Sequence, residues 1–149
     1  MDLMKLKSLA IAKEVRRGTI LIKEGDQQTP LNMYFILKGS VNVFKNFRQP
    51  DEVQLAKLGP GSFVGEMSLF LSAPRSASVV TAEECIVCEL TRENTLEIIR
   101  EQPEFAHGMM VALCERLRAA SKKVSAFNMK VYSEGNAPDH KKVDPIQFY

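Results

Sequence analysis

The sequence holds no apolar run near the roughly 20 residues that a bilayer-crossing helix needs. Its opening stretch, MDLMKLKSLAIAKEVRR, lacks the unbroken apolar core of a secretion signal. A cytoplasmic protein without membrane contact is expected. Charge of one sign is missing too, since 20 Lys and Arg against 18 Asp and Glu leave a formal net charge of +2. That excludes the broad basic surface of a typical nucleic-acid binder, though not a local basic strip. Cysteine is scarce, with 3 residues. An odd number cannot pair completely, and a chain of 149 residues needs no disulfide staple, so reduced thiols are expected. Cys85 and Cys88 form a C-x-x-C, but inside the strand-like segment CIVCEL positions three apart face opposite ways, and both read as buried structural residues. No nucleophile, base and oxyanion donor stand together recognisably, and no cluster has metal-ligand spacing. Neither turnover nor a metal is expected, and His107 reads as a surface or packing residue.

What is present is ordinary globular composition: 45% hydrophobic and 26% charged residues. The length suits one domain and leaves no room for a second. Apolar residues at Leu3, Leu6, Ala10 and Ile11 predict a short amphipathic helix over about Asp2 to Glu14. From Gly18 the texture changes to short β-rich runs separated by turn residues: Thr19 to Lys23, Met33 to Leu37, Ser40 to Phe47, Val53 to Leu58, Ser78 to Thr81 and Cys85 to Leu90. Such spacing favours a sandwich or barrel over alternating βαβ units.

At Thr91 the period returns to helical, with a hydroxyl N-cap leading into Leu96, Ile98 and Ile99. Pro103 starts a longer helix. Along it Met110, Leu113, Leu117, Ala120, Val124, Phe127 and Val131 recur in alternating steps of three and four. This stripe fits either a helix lying on its own domain or, being narrow, a seam facing a twin in a second subunit, and the second reading predicts a homodimer. Arg116, Arg118, Lys122 and Lys123 read as a solvated basic face. The stretch from Ser133 to Tyr149 has no periodicity, so residues 132–149 are expected to be a tail, either a lid or disordered.

One segment differs from ordinary barrel sequence: GSFVGEMSLFLSAPRSASVV, residues 61–80. Gly65 permits close backbone approach, Glu66 follows at once, a one-turn helix from Met67 to Leu71 can offer free amides, and Pro74-Arg75 closes the loop. Free amides with a planar guanidinium suit a phosphate. Glu66 is an acceptor that a plain phosphate site would not want, and a sugar hydroxyl is its natural donor. Phosphate plus ribose means a nucleotide. The competing reading of Glu66 with Arg75 is an internal salt bridge across the loop.

The same segment resembles the phosphate-binding cassette of the cyclic nucleotide-binding domain family. Gly18-Thr19-Ile20, Glu24-Gly25-Asp26 and the run from Met33 to Val43 resemble that family's opening strands and glycine turns. The resemblance spans about Gly18 to Val131. It implies a mainly β fold with α elements, an eight-stranded jelly-roll barrel followed by C-terminal hinge helices, over residues 1–131. It further implies Glu66 on the ribose 2′-hydroxyl with the Gly65 amide and Met67 nearby, and Arg75 on the cyclic phosphate with the Ser76 hydroxyl and the Ala77 amide. Ser76 tilts the implied ligand towards cAMP, with cGMP as the alternative. Leu117 to Val124 resembles the helix with which bacterial catabolite activators touch adenine through a Thr-Ser pair. Ser121 matches the Ser, whereas Ala120 departs from the Thr.

The expectation is therefore a cyclic-nucleotide sensor without enzymatic activity, acting on an effector the sequence does not name. Its rivals are the sensor fragment of a catabolite-activator-type transcription regulator, a redox, haem or small-acid sensor of the same superfamily, and a degenerate dimerisation module. The 18 residues after Val131 are too few for a helix-turn-helix domain, so no DNA binding by this chain alone is expected.

Overall fold

The structure is a computed structural model that describes residues 10–28 and 30–133. Among the described residues, eight strands form two antiparallel four-stranded sheets. The first sheet has the order β1 (Ile11–Val15), β8 (Cys85–Leu90), β3 (Met33–Lys38) and β6 (Phe63–Val64). The second has the order β2 (Ile20–Ile22), β7 (Ser78–Thr81), β4 (Val41–Lys45) and β5 (Val53–Leu58). This is the mainly β jelly-roll architecture with C-terminal helices, and β7 and β8 have the bounds read from the sequence.

Alternation along the strands builds the core, because successive side chains point to opposite faces. Ile36, Val41, Val43, Val79, Cys85 and Val87 turn inward with Ile22, Val64 and Ala77 to form one apolar cluster. Each of its Ile and Val side chains contributes about 1.5–3 kcal/mol by leaving water. Cys88, of the opposite parity on β8, is also fully buried but stands outside that cluster, as the two-faced reading of the C-x-x-C requires.

Two sequence readings need correction. The helix expected over about Asp2 to Glu14 does not exist in its described part: Ile11–Val15 is β1, paired with β8 from Ile11 opposite Glu89 to Val15 opposite Cys85. A helical spacing of few apolar residues there is outweighed by the ladder bonds an edge position on β8 offers. Residues 2–9 lie outside the described residues, as does the expected tail from residue 134 onward. The second correction is β6, which was not foreseen. It has 2 residues between Gly61 and Gly65, pairing Tyr34 with Val64 and Phe35 with Phe63.

Three helices are described: α1 (Glu66–Leu71), α2 (Arg92–Glu101) and α3 (Pro103–Ser133). Thr91 caps α2 as its sequence position suggested, its hydroxyl accepting from the Asn94 amide at 3.2 Å. The chain divides into two compact units, the first ending at His107 and the second beginning at Gly108. In the first, Phe105 on the opening turn of α3 meets Phe35 of β3 with ring centroids 6.1 Å apart. The second is helical through Ser133 and leaves Met110, Leu113, Leu117 and Phe127 exposed. No helix among the described residues is long and apolar enough to cross a membrane.

Candidate anion and ribose site in the barrel

β6 delivers the chain to Gly65, where the backbone turns left-handed (φ 85°) and opens α1. Two constraints require glycine at this point. An L side chain rarely adopts that conformation, and a β-carbon would stand 2.7 Å from Arg75 Nη1, 2.8 Å from Ile22 Cδ1 and 3.1 Å from the Asn32 carbonyl oxygen. The missing side chain is therefore the space in which the guanidinium lies.

Arg75 comes from the far end of the same loop. Its own backbone is fastened in both directions to the β2–β3 turn: the Arg75 amide donates to Asp26 O at 3.0 Å, and the Gly25 amide donates to Arg75 O at 2.8 Å. The side chain is buried, 9% exposed. Nη1 donates to Gly65 O at 3.2 Å and Nη2 to Asn32 O at 2.6 Å. A guanidinium carries five donors, and these two bonds engage one N–H on each terminal nitrogen. Burial lowers the Arg75 pKa from its ordinary value, against the opposing influence of Tyr34, Asp26 and Glu66. A cation removed from water and seated on neutral carbonyls is under-compensated, which makes the position attractive to an anion.

Glu66 is the first residue of α1 and is 2% exposed. Arg75 makes its side-chain hydrogen bonds to backbone carbonyls and feels Glu66 through space. Met67 is half-buried beside Glu66, Ser76 half-buried and Ala77 buried where the loop enters β7. The structure thus gathers Gly65, Glu66, Met67, Arg75, Ser76 and Ala77 on one loop. Ser121 stands exposed on α3, in the second unit.

Several residues that hold this loop were not read from the sequence. Lys45 Nζ donates to Ser76 O at 3.1 Å and pairs with Glu24 at 2.5 Å. Glu24 also accepts from the Asn46 amide at 2.8 Å, and its own amide donates to Ser78 Oγ at 3.0 Å. A signal for Lys45 existed, because it follows Val41 and Val43 at the inward parity of β4. Asn32 left none, since it serves Arg75 through its backbone. A groove of about 330 Å³ runs past Leu31, Asn32, Ser68, Pro74 and Thr91, and its lining does not include Glu66 or Arg75. Among the described residues no group of His, Cys, Asp or Glu could hold a metal ion.

The cyclic nucleotide-binding domain profile matches residues 12–102. The chain is 35% identical over 114 residues to the cyclic AMP receptor protein of Thermus thermophilus, covering 76% of this chain and 52% of that protein. It is 34% identical over 106 residues to the cAMP-activated global transcriptional regulator CRP of Haemophilus influenzae, covering 70% of this chain and 46% of the relative. It thus spans about half the length of the curated relatives it matches. Among solved structures, the catabolite activator protein of Thermus thermophilus superposes with a TM-score of 0.73 at 32% identity, over 85% of this chain and 58% of that one. The chain belongs to the cyclic nucleotide-binding domain family.

Proposed function

We propose that the chain is a cAMP sensor that binds without turnover, and that Arg75 carries the recognition. The observation behind this reading is a buried guanidinium resting on two neutral carbonyls in a glycine-lined loop that also holds a buried carboxylate. A cyclic phosphodiester bears one negative charge, and the Arg75 guanidinium matches it with charge-assisted bonds worth about 1.5–3 kcal/mol each. Ser76 and the Ala77 amide add polar donors, and Glu66, with Gly65 and Met67 beside it, accepts from the ribose 2′-hydroxyl. Ser121 is the adenine contact in this reading, with cGMP the weaker ligand.

Signalling follows if two arrangements of α2 and α3 differ in their affinity for the nucleotide, since a ligand shifts an equilibrium only by that difference. The stripe of α3, exposed at Met110, Leu113, Leu117 and Phe127, is the proposed homodimer seam, and the effector is a protein or domain outside this chain. Domain bounds of 1–131 for the sensor and a cytoplasmic location complete the reading. Calorimetry with cAMP and cGMP on the parent and on Arg75→Ala tests it. The parent is expected to prefer cAMP, and Arg75→Ala to bind about a hundredfold more weakly or worse. Equal binding by parent and variant would remove Arg75 from the site.

A further inference from the structure

We propose that Glu89 is a positioning residue for the anion site, because through the side chain of Asn32 it fixes the carbonyl on which the Arg75 guanidinium is seated. The proposal rests on the reading of Arg75 as the phosphate ligand and extends it to a residue on β8, outside the loop.

Asn32 lies just before β3, at the junction where loop becomes strand, and is 8% exposed. Its carbonyl takes the shorter of the two Arg75 bonds, 2.6 Å. The orientation of that carbonyl depends on what holds Asn32, and its side chain supplies the anchor: Nδ2 donates to Glu89 Oε1 at 2.8 Å. Glu89 is itself firmly placed. β8 is paired on both sides, with Glu89 opposite Ile11 on β1 and opposite Tyr34 on β3. Its carboxylate also accepts from Lys13 Nζ and, at 3.4 Å, from the Tyr34 hydroxyl. One carboxylate therefore gathers donors from β1, β3 and the loop before β3. Its rigidity passes to the guanidinium through a single asparagine. A guanidinium seated loosely could still neutralise a phosphate, but it would distinguish poorly between the two exocyclic oxygens.

The test uses the full chain and calorimetry with cAMP and both phosphorothioate diastereomers of it, with thermal melting in parallel. Asn32→Ala and Glu89→Ala are each expected to weaken cAMP binding about five- to tenfold, the size of one hydrogen bond. Their double variant should lose no more than the larger single, and the affinity ratio between the diastereomers should fall towards one. Glu89→Gln keeps an oxygen for Asn32 Nδ2 and should restore that ratio while losing the charge that Lys13 meets. A ratio unchanged from the parent in Glu89→Ala, or losses that multiply in the double variant, overturns the proposal. If Glu89→Ala does not fold, Asn32→Ala decides by the same ratio. Arg75→Ala separates the two levels: parent-like binding there defeats the phosphate reading itself, whereas lost binding there with an unaffected Glu89→Ala defeats only the positioning role.

Discussion

The absent β-carbon of Gly65 and the Arg75 guanidinium occupy one space, with 2.7 Å between the position a methyl group would take and Nη1. Gly65→Ala should thus act twice. The left-handed backbone costs about 1–2 kcal/mol of stability, which a lowered melting temperature reads. Displacement of the guanidinium weakens cAMP binding beyond that loss, which calorimetry at a temperature where the variant is folded reads.

Arg75 should be a cost to the empty protein. Its charge is buried, and its side chain donates to the Gly65 and Asn32 carbonyls. Arg75→Met keeps the apolar stem, so the unliganded variant should melt at or above the parent temperature. Added cAMP should raise the melting temperature of the parent and leave the variant unmoved. A variant that melts well below the parent would show that the guanidinium holds the loop together.

Stability should fall on the acid side through Glu89. Partial burial pushes its carboxyl up, but the bonds from Lys13 and Asn32 outweigh this and hold it below the usual carboxylate range. A folded pKa below the unfolded one adds stability above the unfolded value, and that stability is lost as pH falls through the folded one. Melting temperature against pH should show this acid limb in the parent and a shallower one in Glu89→Gln. Parallel curves would assign the limb to other carboxylates.

Lys45 should matter for ligand affinity despite lying outside the loop. Lys45→Met removes the donor on Ser76 O and leaves Glu24 without its cation. Binding of cAMP is expected to weaken about threefold to tenfold, the scale of one charged hydrogen bond on a partly exposed side chain. Calorimetry that finds no change would confine the pair to holding the β4–β5 hairpin.

The α3 stripe should govern association. Leu117 is 55% and Phe127 63% exposed, more than an unpartnered helix readily leaves in water over several turns. Sedimentation equilibrium is expected to give a dimer for the parent and a monomer for Leu117→Glu. A monomeric parent would dispose of the seam.

Much of this architecture is legible in the sequence because alternation and turn residues are local signals. β7, β8 and the Thr91 cap came directly from such patterns, and so did the loop from Gly65 to Ala77. β1 is not legible locally, because Ala10 and Ile11 satisfy a helical spacing as well as a strand, and only the distant β8 decides between them. β6 is too short to show any period. The supports of Arg75 were harder to see for a different reason. Asp26 and Asn32 act through their carbonyls, which every residue possesses, so no side-chain identity marks them.

That dependence on backbone acceptors has a kinetic consequence. Arg75 and Asn32 are separated by 43 positions, and Asn32 and Glu89 by 57. Contacts so distant along the chain close late, after the loop entropy between them has been overcome. No peptide cut from residues 61–80 would hold the guanidinium in place, however faithfully it kept the loop's own sequence. Nucleotide affinity should therefore emerge as the last sheet pairings form, so that the ligand recognises a finished barrel and can report on its folding.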